Sequence, residues 1–250
     1  MSAVAWVSGA PVDVSDVDAL EAVLRGGPVS ATLPRVGTRE GRQLRRWLVQ
    51  VLVAERLVAA EADARGLSAA DAPPLGALAP DRAALLGLGS VAADLLARNP
   101  LARAVFAAVT ADVSVGDAEV ARYHRNNPEA SRVAEERVVR VPGSSRPRTL
   151  RRGELTGPVE DAVFAARPGE VVGPVRDPLG EHTFEVVEAR PARVRGLAEI
   201  GEDIRERLRA AARRRAFTAW LDVGAVTSVR LAPGFEHPGD PRQPDNTHRH

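Results

Sequence analysis

Residues 158–193 read PVEDAVFAARPGEVVGPVRDPLGEHTFEVVEARPAR, and the change of period inside this stretch decides the fold class. Val163 and Phe164 fall on one face of a short helix over 158–166, which Pro168-Gly169 ends in a turn. Val171–Val175 and Thr183–Val187 then alternate as β-strands; Gly180 permits a tight turn between them and His182 opens the last strand. Arg137–Val141 reads as a further strand before the helix. Strands and a short helix so close together make this region α+β.

Outward from it, the periods are helical. Upstream, 3–7 and 11–14 are two β-prone pieces around a Ser8-Gly9 turn, and Ser15 is positioned to cap a helix over 16–25. The strongest helix is Thr38–Arg65, with Leu44, Trp47, Leu48, Val51, Leu52 and Val58 on one stripe and Gly66 as its stop. A Pro-bearing linker over 67–80 leads to helices at 81–98 and 101–110, divided by Asn99-Pro100, and Ser114 caps a short helix over 115–126. Downstream of Pro191 a long amphipathic helix runs 197–222 with Leu197, Ile200, Ile204, Leu208, Ala212, Ala216 and Trp220 on one face. Its stripe is expected to pack against that of 38–65, since neither can stay in water. The expected organisation is a helical region over 1–130, a small α+β region over 131–193, a helix over 194–228 that returns to the first region, and a disordered tail over 229–250.

Composition removes whole classes of chemistry. The chain has 250 residues, 44% of them apolar, and its 34 basic and 33 acidic side chains leave a net charge of +1. Such a balance gives no reason to expect nucleic acid or a membrane as partner. Every basic residue is arginine, so lysine Schiff bases and a phosphate-loop lysine are excluded. Cysteine is absent, which excludes thiol catalysis, disulfides and thiolate metal sites. No cofactor and no metal is expected. The opening MSAVAWVSGAPVDV has no basic leader, and the apolar run Trp47–Ala60 is broken by Gln50, Glu55 and Arg56, so the expectation is a cytoplasmic protein.

The order of elements in 158–193, with the Pro-Gly turn, the glycine turn and the histidine-bearing last strand, resembles the C-terminal half of parvulin-type peptidyl-prolyl isomerases. The flanks are similar to SurA-type chaperones of that family: AWVSGAPVDVSDVDALEAVL at the start, VSVGDAEVARYHRNNPE over 113–129, and the helix Leu197–Leu221. The resemblance implies a mainly helical SurA-like core completed by the long C-terminal helix, with a truncated parvulin-like α+β insert. It implies proline isomerisation and the holding of unfolded polypeptide.

The departures bear on activity. Val138 of ERVVRV stands where the family carries a second histidine, and Pro142–Arg148 replaces the helices and glycine turn that build the rest of the proline pocket. Isomerisation needs a dry proline pocket and polar groups that favour the twisted amide. His182 is the one catalytic candidate, with a purely structural hydrogen bond along its strand as the competing reading. Isomerase activity is therefore expected to be weak or lost. By the same resemblance Phe164, Leu179 and Phe184 are candidates for substrate contact.

Charge supplies a different reading. Between Arg137 and Gly153 stand six arginines (Arg137, Arg140, Arg146, Arg148, Arg151 and Arg152) and no acid. Arg146, Arg148, Arg151 and Arg152 are candidates for holding an acidic partner through bidentate contacts, such as an acyl-carrier protein or a pathway enzyme for which this chain would be a non-catalytic adaptor. A solvated arginine face is the plainer account, and the lack of aromatics there argues against nucleic acid. GLGSVA at 87–92 has the letters of a dinucleotide turn, but it lies within a helical pattern with no strand before it. His124 reads as surface, and His237, His248 and His250 as decoration of the tail. Glu135-Glu136 and Glu202-Asp203 read as solvated edges.

Overall fold

In the computed structural model, which describes residues 2–240, local signals fix most of the first elements. Strands β1 (Ala3–Val7) and β2 (Ala10–Asp13) pair antiparallel, and Ser8 (φ 49°) and Gly9 (φ 86°) make the two-residue turn between them. Helix α1 (Val14–Arg25) begins earlier than the sequence suggests: Asp13, not Ser15, is its N-cap. The Asp16 carboxylate accepts the Asp13 N–H at 3.3 Å, which closes the first turn one step upstream. In α2 (Arg39–Arg65) the Thr38 hydroxyl accepts the Gly41 N–H at 3.0 Å, and Gly66 leaves the helix in the left-handed region (φ 65°).

The expected helix over 81–98 is two. Short α3 (Leu75–Leu78) precedes α4 (Arg82–Leu86), and α5 (Ser90–Arg98) follows only after a break at Gly87–Gly89. Gly89, at φ 79°, turns the chain there, so GLGSVA lies at a helix start rather than inside a helix. Asn99-Pro100 is a cap: the Asn99 side chain accepts two N–H groups of α6 (Pro100–Val109), and Pro100 fills its first position.

Next come α7 (Asp117–Asn126), β3 (Arg132–Val133), β4 (Glu136–Arg140), β5 (Arg148–Arg151), α8 (Pro158–Ala165), β6 (Val171–Asp177), β7 (Gly180–Arg190) and β8 (Arg193–Val194). Helix α9 (Leu197–Ser228) and β9 (Val229–Leu231) complete the described chain. The fold is thus mixed α+β with several sheets and a long C-terminal helix. Strand β9 corrects the expectation of a disordered tail from residue 229. It pairs antiparallel with β1, setting Leu231 against Ala5 and Val229 against Val7. Phe235 packs into the core beyond it, and Arg46 donates to the Gly234 carbonyl at 3.0 Å. Alternating apolar residues in VRL outweigh the polar composition that follows. His248 and His250 lie outside the described residues.

The chain divides into two compact units, Met1–Ser114 with Arg207–His250, and Val115–Glu206. The first is built on two apolar clusters. One joins the sheet β2-β1-β9 to α1 and α2 through Val4, Val12, Val17, Leu48 and Val49, all fully buried. The other gathers Val58, Leu95, Leu96, Val105, Phe106 and Phe217, with the Phe106 and Phe217 rings 5.1 Å apart. Phe217, Trp220 and Leu221 of α9 share this cluster with Ala54, Val58 and Ala62 of α2; of these, Trp220 and Val58 stood on the expected stripes, whereas Leu197, Ile200 and Ile204 of the α9 stripe belong to the other unit.

The second unit holds a four-stranded antiparallel sheet in the order β5-β4-β7-β6, with α8 laid against it over a smaller cluster that includes Val139, Val163, Phe164, Val172 and Val186. A two-stranded pair, β3-β8, and α7 belong to the same unit. Strand β5 had no counterpart in the sequence reading. Its residues, RTLR, carry one buried side chain, Leu150.

Candidate functional site

The second unit carries every candidate residue, but the topology of its sheet separates them. Strand β7 is longer than β4. Their pairing ends at Arg140 opposite Glu185, while β7 continues to Gly180 with only β6 alongside. His182 stands on this extension. Its Nε2 lies 2.7 Å from Asp177 Oδ1 across the β6–β7 hairpin, and the same carboxylate oxygen accepts the Leu179 N–H at 2.7 Å. The hydrogen bond from His182 holds the Asp177 carboxyl below its usual range, helped by the backbone N–H groups of the turn. The His182 ring stacks on Phe184 with centroids 6.1 Å apart. One imidazole nitrogen and one ring face are therefore already engaged. Val138 lies opposite Glu188, well along β7 from His182, so β4 brings nothing to its side.

Leu179, at the hairpin tip, is 89% exposed, whereas Phe164 on α8 is buried. Two guanidinium groups flank the Phe164 ring, Arg152 at 4.6 Å and Arg137 at 5.3 Å from its centroid. Both also bond Glu135, at 2.7 Å each, and Arg137 donates to the Phe164 carbonyl at 2.8 Å. Phe164 and Arg152 are thus held in the packing of the sheet.

The acid-free stretch of arginines is acid-free only in sequence. Strand pairing brings Glu136 to Arg151 at 3.1 Å and Glu185 to Arg140 at 3.0 Å, and Glu154 reaches Arg151 at 3.8 Å. The hydrogen bonds from Arg152 to Glu135 and from Arg151 to Glu136 keep both carboxyls below their usual range. Of the four arginines proposed to meet an acidic partner, Arg146 and Arg148 alone make no ion pair among the described residues. Arg146 lies in the β4–β5 connection and Arg148 opens β5 opposite Val139, at the end of the sheet where β7 outruns β4.

That open flank of β7 is the feature sequence reasoning missed. The other free edges are blunted. Strand β5 is four residues long and carries arginine at both ends; β6 has a bulge between Val172 and Val175 and a proline, Pro174, without an N–H. Gly173 sits in this bulge at φ 117°, and a Cβ there would collide with the His182 carbonyl oxygen. Along 180–184, by contrast, β7 itself carries no proline and no extra residue, the bulge opposite 182–184 lying in β6, and among the described residues no backbone hydrogen bond joins this segment to 141–147. No group of three or more metal-ligating side chains occurs among the described residues, and none of their helices is long and apolar enough to cross a membrane.

A family model described as a family of unknown function (DUF7158) matches residues 3–40. No curated protein matches in sequence. Two solved structures from Campylobacter jejuni are similar, both described with the virulence factor PEB4 and the periplasmic protein Cj1289 as structurally related SurA-like chaperones. One is 14% identical, covering 92% of this chain and 100% of its own, with a TM-score of 0.42. The other is 9% identical, covering 93% and 100%, with a TM-score of 0.43. This likeness corrects the cytoplasmic expectation: Cj1289 is a periplasmic protein, and the lack of a leader pattern in the first residues does not set a compartment.

Proposed function

We propose that the second unit binds extended polypeptide by strand addition along the first half of β7, and that it does so without appreciable proline isomerisation. The observation that carries this reading is the unpaired flank of β7 between Gly180 and Phe184. By the two-residue period of a strand, alternate residues there turn their N–H and C=O groups away from β6, where an added strand can bond them. Leu179 and Phe184 supply apolar contact beside that flank, and Arg146 and Arg148 supply charge at the same end. Phe164, Arg151 and Arg152 serve the sheet and contact polypeptide only indirectly. The resemblance of 158–193 to the parvulin type favours polypeptide as the ligand class.

Loss of catalysis follows from what surrounds His182. A twisted amide needs donors placed around it in a dry pocket. His182 is bonded to Asp177 and stacked on Phe184, and among the described residues no second histidine faces it from β4. An adaptor role through an acidic partner loses support, because Arg151 and Arg152 are committed within the fold.

The test compares an extended peptide with its N-methylated counterpart, which has the same side chains and fewer backbone donors. Binding is expected to weaken at least tenfold on N-methylation, and a prolyl-peptide isomerase assay is expected to show no difference between the native chain and His182→Ala. Equal binding of both peptides removes strand addition. Turnover that vanishes in His182→Ala removes the non-catalytic reading.

A further inference from the structure

The unpaired flank of β7 alternates along its length, and that alternation selects what can add to it. Val186 donates its N–H to the Glu170 carbonyl at 2.9 Å and accepts the Gly169 N–H at 2.7 Å, so its backbone groups face β6. The same side recurs at every second residue of a strand. The His182 carbonyl follows this rule, since it points at Gly173 of β6. Glu181 and Thr183 therefore turn their N–H and C=O groups the other way, beyond the end of β4. At these two positions an added strand can exchange a pair of hydrogen bonds.

Side chains obey the same period. Val186 is in the core beneath α8, Phe184 packs against that core, and the His182 ring stacks on Phe184, so 182, 184 and 186 share one face. Val175, directly opposite His182 on β6, extends this face toward the hairpin tip. The other face carries Glu181 paired with Arg176 at 3.0 Å and Glu185 paired with Arg140 at 3.0 Å, with Thr183 between them. One face of the flank is thus aromatic and half-buried, and the other is neutralised. Charge is left over only at the end next to β4. Directly paired residues point the same way, so Arg148, opposite Val139, lies on the face of Val186 and Phe184. Neither Arg148 nor Arg146 makes an ion pair among the described residues.

We infer, resting on the strand-addition reading, that the ligand is an acid-led alternating segment: antiparallel to β7, with apolar residues two apart opposite Phe184 and His182, and acidic residues at its N-terminal end toward Arg146 and Arg148. The direction comes from the sheet. Strand β4 runs antiparallel to β7 and stops at Arg140, so a strand continuing its line in the same sense begins beside the arginines. The residues opposite Glu181 and Thr183 must keep their N–H groups, whereas those opposite His182 and Phe184 turn theirs away from β7 and tolerate its loss.

The probe is the acetylated and amidated hexapeptide Glu-Glu-Val-Thr-Val-Thr, titrated into the full chain by calorimetry. N-methylation of both threonines is expected to weaken binding at least about tenfold, and N-methylation of both valines less than about twofold, since only the first removes bonds to β7. The reversed peptide, Thr-Val-Thr-Val-Glu-Glu, and the version with Gln for both Glu are each expected to bind about fivefold more weakly. In the double variant Arg146→Gln with Arg148→Gln, the Glu and Gln peptides are expected to bind alike while the melting temperature stays unchanged, which arginines serving only the sheet would not produce. Equal losses on methylating valines and threonines overturn the alternation but leave strand addition standing. Equal binding of the Glu, Gln and reversed peptides to the native chain overturns the acid-led direction and likewise leaves strand addition standing. No loss on either methylation, or no binding of any of these peptides, overturns both.

Discussion

The two units solve the same problem with different materials. In the first, two apolar clusters enclose Phe106, Phe217, Leu48, Leu95 and Leu96 with no more than a trace of exposure. In the second, a thin cluster under α8 is bordered by ion pairs: Arg151 and Arg190 on Glu136 and Arg140 on Glu185 join strand to strand in partly exposed positions, and Arg152, with the buried Arg137, holds Glu135 just before β4. Burial is insensitive to pH and salt, whereas exposed pairs are individually weak and respond to both. The contrast teaches that one lysine-free composition supports a unit held by exclusion of water and another whose strand edges depend on charge.

The contrast breaks first at Phe217. Phe217→Ala is expected to cost about 3–5 kcal/mol in the first unit, since it leaves a cavity between α2, α6 and α9. Denaturant unfolding read from tryptophan fluorescence measures it, because all three tryptophans, at positions 6, 47 and 220, belong to that unit. A loss below about 1 kcal/mol contradicts a core-held unit.

Gly173→Ala is the matching strike on the second unit. A side chain at φ 117°, driven against the His182 carbonyl, is expected to cost about 1–3 kcal/mol. Amide exchange is expected to rise along β6 and β7 and to stay unchanged in α2; equal rises in both deny that the units are separable.

Acid is expected to separate them more gently. Asp177, Glu135, Glu136, Glu188 and Glu199 in the second unit are all held below their usual range by hydrogen bonds from His182 or from arginines. A depressed carboxyl stabilises the fold fully above its unfolded value, and that stability is lost as pH falls through the folded value. The window therefore opens near about pH 4.5 and extends below it. In the first unit Asp71 behaves the same way, but burial raises Glu55, which takes up its proton more readily folded than unfolded and so opposes acid unfolding. Exchange protection followed from pH 6 to 3 is expected to fail in β4–β7 before α2.

The smallest expected effect is that of Arg146→Gln with Arg148→Gln. Neither side chain pairs within the fold, so stability is expected to move by less than about 0.5 kcal/mol. Peptide affinity is expected to fall and to lose part of its salt dependence. A melting shift as large as that of Arg152→Gln would mean that these two arginines also serve the sheet.

What could be read in the sequence was what short-range chemistry fixes. Ser8-Gly9, Thr38 with Gly66, and the Gly180 turn each carry their signal within a few residues, and each stands where expected. Features that depend on distant partners stayed hidden. Strand β5 has three polar residues in four and becomes a strand only against β4, and β9 requires β1. The glutamates that consume the arginines lie outside the acid-free stretch and arrive through strand register. His182 was visible as a candidate, but its partner Asp177 is set by the hairpin. The break between α4 and α5 is made by Gly89, a glycine that reads as helix interior.

Strand β9 lies beside β1 although nearly the whole chain separates them. During synthesis the second unit is complete before its host has its last strand, and the first half of α9 emerges before Phe217. Until then α2 must keep an apolar stripe without the residues that will cover it. Contacts so distant in sequence form late and slow folding. The order in which residues leave the ribosome therefore makes the smaller, charge-laced unit the earlier one to be complete and leaves the larger core to close last.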